Sequence, residues 1–89
     1  MFTPKEEIEK ALETLQLPKL VTKQNIKEQY YFLAKKNHPD VGGTVEEMES
    51  LNYAYTLLIQ YIDDFRYAFD DEEIVKQFPG VDYVQRFKP

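Results

Sequence analysis

The sequence predicts an all-α domain: an antiparallel hairpin of two long helices, a shorter helix on either side of it, and a C-terminal tail. Three observations carry this. Apolar and aromatic residues recur at helical spacing over Ile26, Tyr30, Leu33 and Ala34, and again over Met48, Leu51, Tyr55, Leu58 and Ile62. Residues 35–43, K-K-N-H-P-D-V-G-G, separate the two runs. They contain a proline, which disfavours helix at the residue before it, and two glycines that let the chain reverse. Helix-start signals stand where such a fold needs them, at Thr3-Pro4-Lys5-Glu6 and Thr44-Val45-Glu46-Glu47, each a threonine followed three residues later by glutamate.

In chain order, the first helix starts at the Thr3 cap with Pro4 at its first position. Ile8, Ala11, Leu12 and Leu15 are its inward face, and it runs to about Leu15 or Gln16, ahead of Pro18. Residues 17–21 form a connector with Leu17 and Leu20 turned inward. Thr22 caps the second helix, over about 23–37, although glutamine falls at Gln24 and not at the third position. Its outward face is a stripe of Lys23, Lys27, Tyr31, Lys35 and Lys36. Phe32 lies off the inward line, either in a binding patch or under a neighbouring loop. The third helix begins after Thr44, with Ala54 and Tyr61 flanking its seam and the seam aromatics assigned to the core.

A short fourth helix is expected over residues 64–69, with Phe65, Ala68 and Phe69 as its apolar positions. That makes residues 1–70 the domain and 71–89 an extension with a turn at Pro79-Gly80. Ile74, Val75, Phe78, Val81, Tyr83, Val84 and Phe87 make the extension too apolar for a free linker. Part of it is expected to fold back on the bundle, and a docking strip for a partner is the alternative.

Composition narrows the function classes. A chain of 89 residues forms one domain with a small core. With no cysteine there is no disulfide, thiolate zinc site or thiol nucleophile, and nothing suggests an oxidising compartment. The start, M-F-T-P-K-E-E-I-E-K, reads as neither a signal nor a transit peptide, and no apolar run approaches the roughly 20 residues that span a bilayer. A soluble, cytoplasmic monomer is expected. The net charge of -5 disfavours nucleic acid as a partner, because such binding rests on neutralising phosphates.

The charge is also segregated. From Lys19 to Lys36 the lysines are Lys19, Lys23, Lys27, Lys35 and Lys36 against Glu28. From Glu46 to Glu73 nine acids stand against Arg66. The basic second helix suits docking on an acidic protein surface. The competing reading is a solvated face with attraction between the two helices.

The chemistry at residues 38–40 is that of recognition. His38 is the single histidine and has no second histidine or cysteine to complete a metal site. Asp40 is too near in sequence to orient its imidazole while both serve a substrate. Gly42-Gly43 lacks the strand, spacing and lysine of a phosphate-binding loop. Neither an enzyme nor a cofactor or metal is expected. Proline presets the relation between imidazole and carboxylate, which lowers the ordering cost of binding, and an exposed carboxylate there can accept a bidentate pair from a partner arginine. Alternatively, Asp40 makes a local turn that helps to start the third helix, and His38 is an ordinary exposed residue.

The run I26-K-E-Q-Y-Y-F-L-A-K-K-N-H-P-D, followed by M48-x-x-L-N-x-A-Y-x-x-L58, resembles the J-domain of DnaJ-type co-chaperones, and D64-F-R-Y-A-F-D70 resembles that family's fourth-helix ending. The resemblance covers about residues 5–70. It implies binding to a DnaK-type 70-kDa heat-shock chaperone in its ATP state and stimulation of ATP hydrolysis. By that resemblance Asp40 engages an arginine of the chaperone, while His38 and Pro39 hold the loop against its domain junction. Lys27, Tyr30 and Lys36 then add contacts on the second helix, and the lysines, with Lys23 and Lys35 in the same stripe, face an acidic surface.

Tyr31 and Phe32 stand where many J-domains carry lysine or arginine, and Asn37 where tyrosine is common. Fewer positive charges imply weaker steering and less salt sensitivity. The second reading that the sequence supports is a J-like interaction domain without ATPase stimulation, binding another protein through its tail or acidic face.

Overall fold

The computed structural model describes residues 3–78. Among them are four α-helices and one 3₁₀ turn: α1 (Pro4–Thr14), α2 (Lys23–Lys36), the turn Pro39–Val41, α3 (Val45–Asp63) and α4 (Asp71–Gln77). No described residue lies in a strand, in agreement with the all-α expectation.

The start of α1 is set as its sequence predicts, with Thr3 Oγ1 accepting from the Glu6 N–H at 3.2 Å. Its end is a left-handed reversal at Gln16, φ 57°. There the Gln16 N–H donates to Glu13 O (3.0 Å) and the Leu17 N–H to Leu12 O (2.9 Å), which satisfies two carbonyls of the last turn. Leu17 then packs on the core. Leu20 does not, contrary to expectation: it is almost fully exposed, and Val21 takes the inward position. Val21 and Ile26 stand just outside and just inside the start of α2, where a pair of apolar residues staples the entry of the chain. The cap of α2 is also more complete than its sequence suggested. Thr22 Oγ1 accepts from the Asn25 N–H at 3.0 Å, and Asn25 Oδ1 accepts from the Thr22 N–H at 3.1 Å, so asparagine closes the box in place of glutamine.

Both α1 and α2 pack on α3. Ala11, Leu15, Ile26, Leu33, Leu51, Ala54 and Leu58 are buried between them, each large one contributing about 1.5–3 kcal/mol of transfer free energy. Tyr30 stacks on Tyr55, with ring centroids 4.2 Å apart and planes 16° from parallel. At the far end of the hairpin Lys23 Nζ lies 3.0 Å from Asp63 Oδ1, joining the start of α2 to the end of α3. Gln29 donates to the carbonyl of Leu15 at 3.1 Å and so ties α2 to the end of α1. No helix among the described residues is long and apolar enough to cross a membrane.

Two assignments change. Tyr61 is half exposed, not core, because it lies near the end of α3 beside the start of α1, lining an open groove with Pro4, Ile8 and Phe65. The fourth helix is not at residues 64–69 but at Asp71–Gln77. Asp70 Oδ1 accepts from the Glu73 N–H at 2.9 Å, and Asp71, Glu72 and Glu73 fill the first turn, where carboxylates complement the helix dipole. Phe65, Tyr67 and Phe69 alternate with period two instead of recurring at helical spacing. None of the residues of α4 joins the core. The Pro79-Gly80 turn and Val81, Tyr83, Val84 and Phe87 lie outside the described residues.

Candidate functional site

The loop between α2 and α3 is built from backbone bonds. Asn37 ends α2 twice over, its N–H and its side-chain Nδ2 both donating to Leu33 O at 2.9 and 2.8 Å. His38 then turns extended, φ -65° and ψ 139°, as the residue before proline prefers. Its carbonyl accepts from the N–H groups of Val41 and Gly43, each at 3.0 Å, and the Gly42 N–H donates to Pro39 O at 3.2 Å.

The two glycines serve different ends. Gly42 takes φ 96°, a left-handed conformation suited to glycine. Gly43 is needed for close approach: a Cβ there would fall 1.7 Å from the carbonyl oxygen of Asn37. Of the pair, only Gly42 has the positive φ that the sequence allowed to both.

On this frame His38 Nδ1 accepts from the Asp40 N–H at 3.0 Å. A nitrogen that accepts carries no proton, so this geometry belongs to the neutral ring with Nε2 as its donor. Asp40 Oδ2 lies 3.5 Å from the same Nδ1, and the Asp40 side chain is 89% exposed. The carboxylate accepts no backbone hydrogen bond from a described residue. Thr44 caps α3, accepting from the Glu47 N–H at 3.1 Å, so Asp40 does not start that helix.

The basic residues divide by position. Lys35 and Lys36 are exposed in the last turn of α2, beside the loop, where cations also favour the helix C-terminus. Lys27 is half-buried farther back, and these three make no ion pair with a described residue. Lys23 is about 20 Å along the helix from Lys36 and is held by Asp63. Attraction between the hairpin helices therefore involves Lys23 alone of the stripe. Tyr30 is half-buried against Tyr55, and its hydroxyl donates to Asn52 Oδ1. Tyr31 and Phe32 are both exposed, so Phe32 is not covered by a loop. Asn37 joins the loop to the Leu33 carbonyl of α2 and Gly43 closes it against Asn37, and neither of these particular roles was legible from residue type alone.

A family model described as the DnaJ domain matches residues 10–70, more than half of the chain. The chain belongs to the DnaJ domain family. Its J-domain is 40% identical over 55 residues to chaperone protein dnaJ A6 of Oryza sativa subsp. japonica, a match covering 62% of this chain and 13% of that protein. The chain thus corresponds to a small part of that relative's length. No solved structure gives a match. Co-chaperones of DnaK-type 70-kDa chaperones are built on this domain, and the matched span contains α2, the loop and α3.

Proposed function

We propose that this J-domain docks on a DnaK-type 70-kDa chaperone through His38, Pro39, Asp40 and the loop-proximal part of α2, and stimulates ATP hydrolysis there. The observation that carries the reading is Asp40: an exposed carboxylate on a loop whose own backbone bonds hold it, with no described backbone donor drawing it inward. Such a group binds an arginine fork with little ordering cost. His38 Nε2 adds a donor beside it, and Lys35, Lys36 and Lys27 supply charge for an acidic face. Lys23, tied to Asp63, contributes least. Tyr30 acts by fixing α2 against α3.

The ATPase groups belong to the partner. The J-domain accelerates hydrolysis to the extent that it binds the hydrolysis-competent arrangement more tightly than the resting one. A tenfold preference corresponds to about 1.4 kcal/mol.

The test is single-turnover ATP hydrolysis by a DnaK-type chaperone with wild type or Asp40→Asn. Wild type should accelerate hydrolysis. The variant should not, while its helicity and denaturation midpoint stay unchanged, because the carboxylate supports no described backbone contact. If neither protein accelerates hydrolysis at low salt and high concentration, the proposal fails and the reading as an interaction domain takes its place.

A further inference from the structure

After α3, residues 65–69 run in neither helix nor turn. The Phe65 N–H donates to Ile62 O at 3.2 Å, and the main chain of residues 66–69 then makes no hydrogen bond to a described residue. The side chains hold one another instead. Phe65 meets Tyr61 edge-on at 5.7 Å and Tyr67 at 5.5 Å. A ring contact between residues two apart places both on one face, as in an extended chain. Tyr61, Phe65, Tyr67 and Phe69 are 50%, 48%, 67% and 81% exposed. An unpaired backbone edge carrying aromatics on one side is a surface for adding a strand.

We propose that the added strand is the same segment of a second copy, paired antiparallel about Ala68. In that register Arg66 stands opposite Asp70 of the second copy, and the two-fold axis repeats the pair. Tyr67 stands opposite Phe69, also twice, and the small Ala68 side chains meet at the axis. Opposite charges and aromatic pairs across strands are both stabilising. Sliding the pair to centre on Tyr67 sets Asp64 against Asp70, which like charges penalise. Arg66 has no ion-pair partner among the described residues, and Asp70 uses Oδ1 for its cap, leaving Oδ2 for Arg66 of the second copy.

At about 200 Å² per aromatic side chain, the two rings that this register pairs, Tyr67 and Phe69, expose on the order of 300 Å² in each chain. Two copies then bury at most about 600 Å² of aromatic surface, below the size of stable interfaces, so the dimer is weak, with Kd on the order of 10⁻⁴ M or above. The monomer expected from the sequence is the dilute form.

Sedimentation equilibrium on the full chain, from micromolar to about 1 mM, tests this. The average mass of wild type should rise from 10.6 kDa towards twice that value. Arg66→Glu and Asp70→Lys should each weaken association at least tenfold, since each sets like charges opposite one another twice. An equimolar mixture of the two variants should associate like wild type, because every cross-strand pair is then complementary. Circular dichroism controls for the lost cap in Asp70→Lys.

The proposal is overturned if wild type stays at 10.6 kDa throughout, if either variant associates as tightly as wild type, or if the mixture stays monomeric. A monomeric wild type that binds an extended apolar peptide would make the strip a dock for another polypeptide and overturn it too. The readout involves no ATPase, so either result leaves the function proposed above untouched.

Discussion

The loop at residues 37–43 and the segment at residues 65–69 are both exposed, and they are ordered in opposite ways. In the loop the backbone holds itself: the His38 carbonyl takes two N–H groups, the Leu33 carbonyl takes two donors from Asn37, and Gly43 lies close against Asn37. The side chains of His38 and Asp40 are thereby left exposed in a preset relation. In residues 65–69 the main chain beyond Phe65 bonds to no described residue, and the rings of Tyr61, Phe65 and Tyr67 support one another. One segment offers polar side chains on a fixed frame, and the other offers apolar side chains on a backbone that, beyond Phe65, bonds to no described residue. The first suits an oriented, charged contact, and the second suits pairing with another extended chain.

The sharpest way to break this contrast is Gly43→Ala. The new methyl group meets the Asn37 carbonyl and forces the loop backbone to move, so stability should fall by about 3 kcal/mol in urea denaturation. ATPase stimulation should be lost with it, even though His38, Pro39 and Asp40 are all present. A variant as stable and active as wild type would show that the loop frame does not position the site.

A smaller effect of opposite sign is expected at the end of α1, where glutamine occupies a left-handed position that glycine tolerates better. Gln16→Gly should raise stability by about 0.5–1 kcal/mol, read as a higher denaturation midpoint, with stimulation unchanged. The smallest effect is expected at the far end of the hairpin. Lys23→Gln removes a surface ion pair with Asp63 and should cost only a few tenths of a kcal/mol, vanishing in high salt. It should also leave stimulation nearly unchanged, whereas Lys36→Gln, beside the loop, should reduce it. Equal losses of stimulation for the two would show that the whole stripe acts as one surface.

Much of this was legible in the chain. The apolar spacing of α1, α2 and α3, the Thr3, Thr22 and Thr44 caps and the break at Pro39 are local properties, and each appears within a residue or so of where it was read. The spacing of Phe65, Ala68 and Phe69 suggests a fourth helix over residues 64–69, but the cap signal of the same kind as the others, Asp70 followed by Glu73, starts it at Asp71. The connector was misread at Leu20 because the reversal at Gln16 and the staple at Val21 decide which side of it faces inward.

The sequence by itself determined the helices of the bundle, the segregation of charge onto α2 and the presence of a rigid turn carrying His38 and Asp40, because spacing, capping and proline sterics act over a few residues. The tertiary structure decided which members of each stripe remain available. Packing of α2 on α3 commits Tyr30 to Tyr55 and Lys23 to Asp63, and leaves Lys35 and Lys36 in solvent beside the loop. It likewise decided that Gly43 serves close approach and that the main chain of residues 66–69 bonds to no described residue. Those outcomes depend on atoms distant in sequence or on the chain's exact path in space, and composition and periodicity contain no record of either.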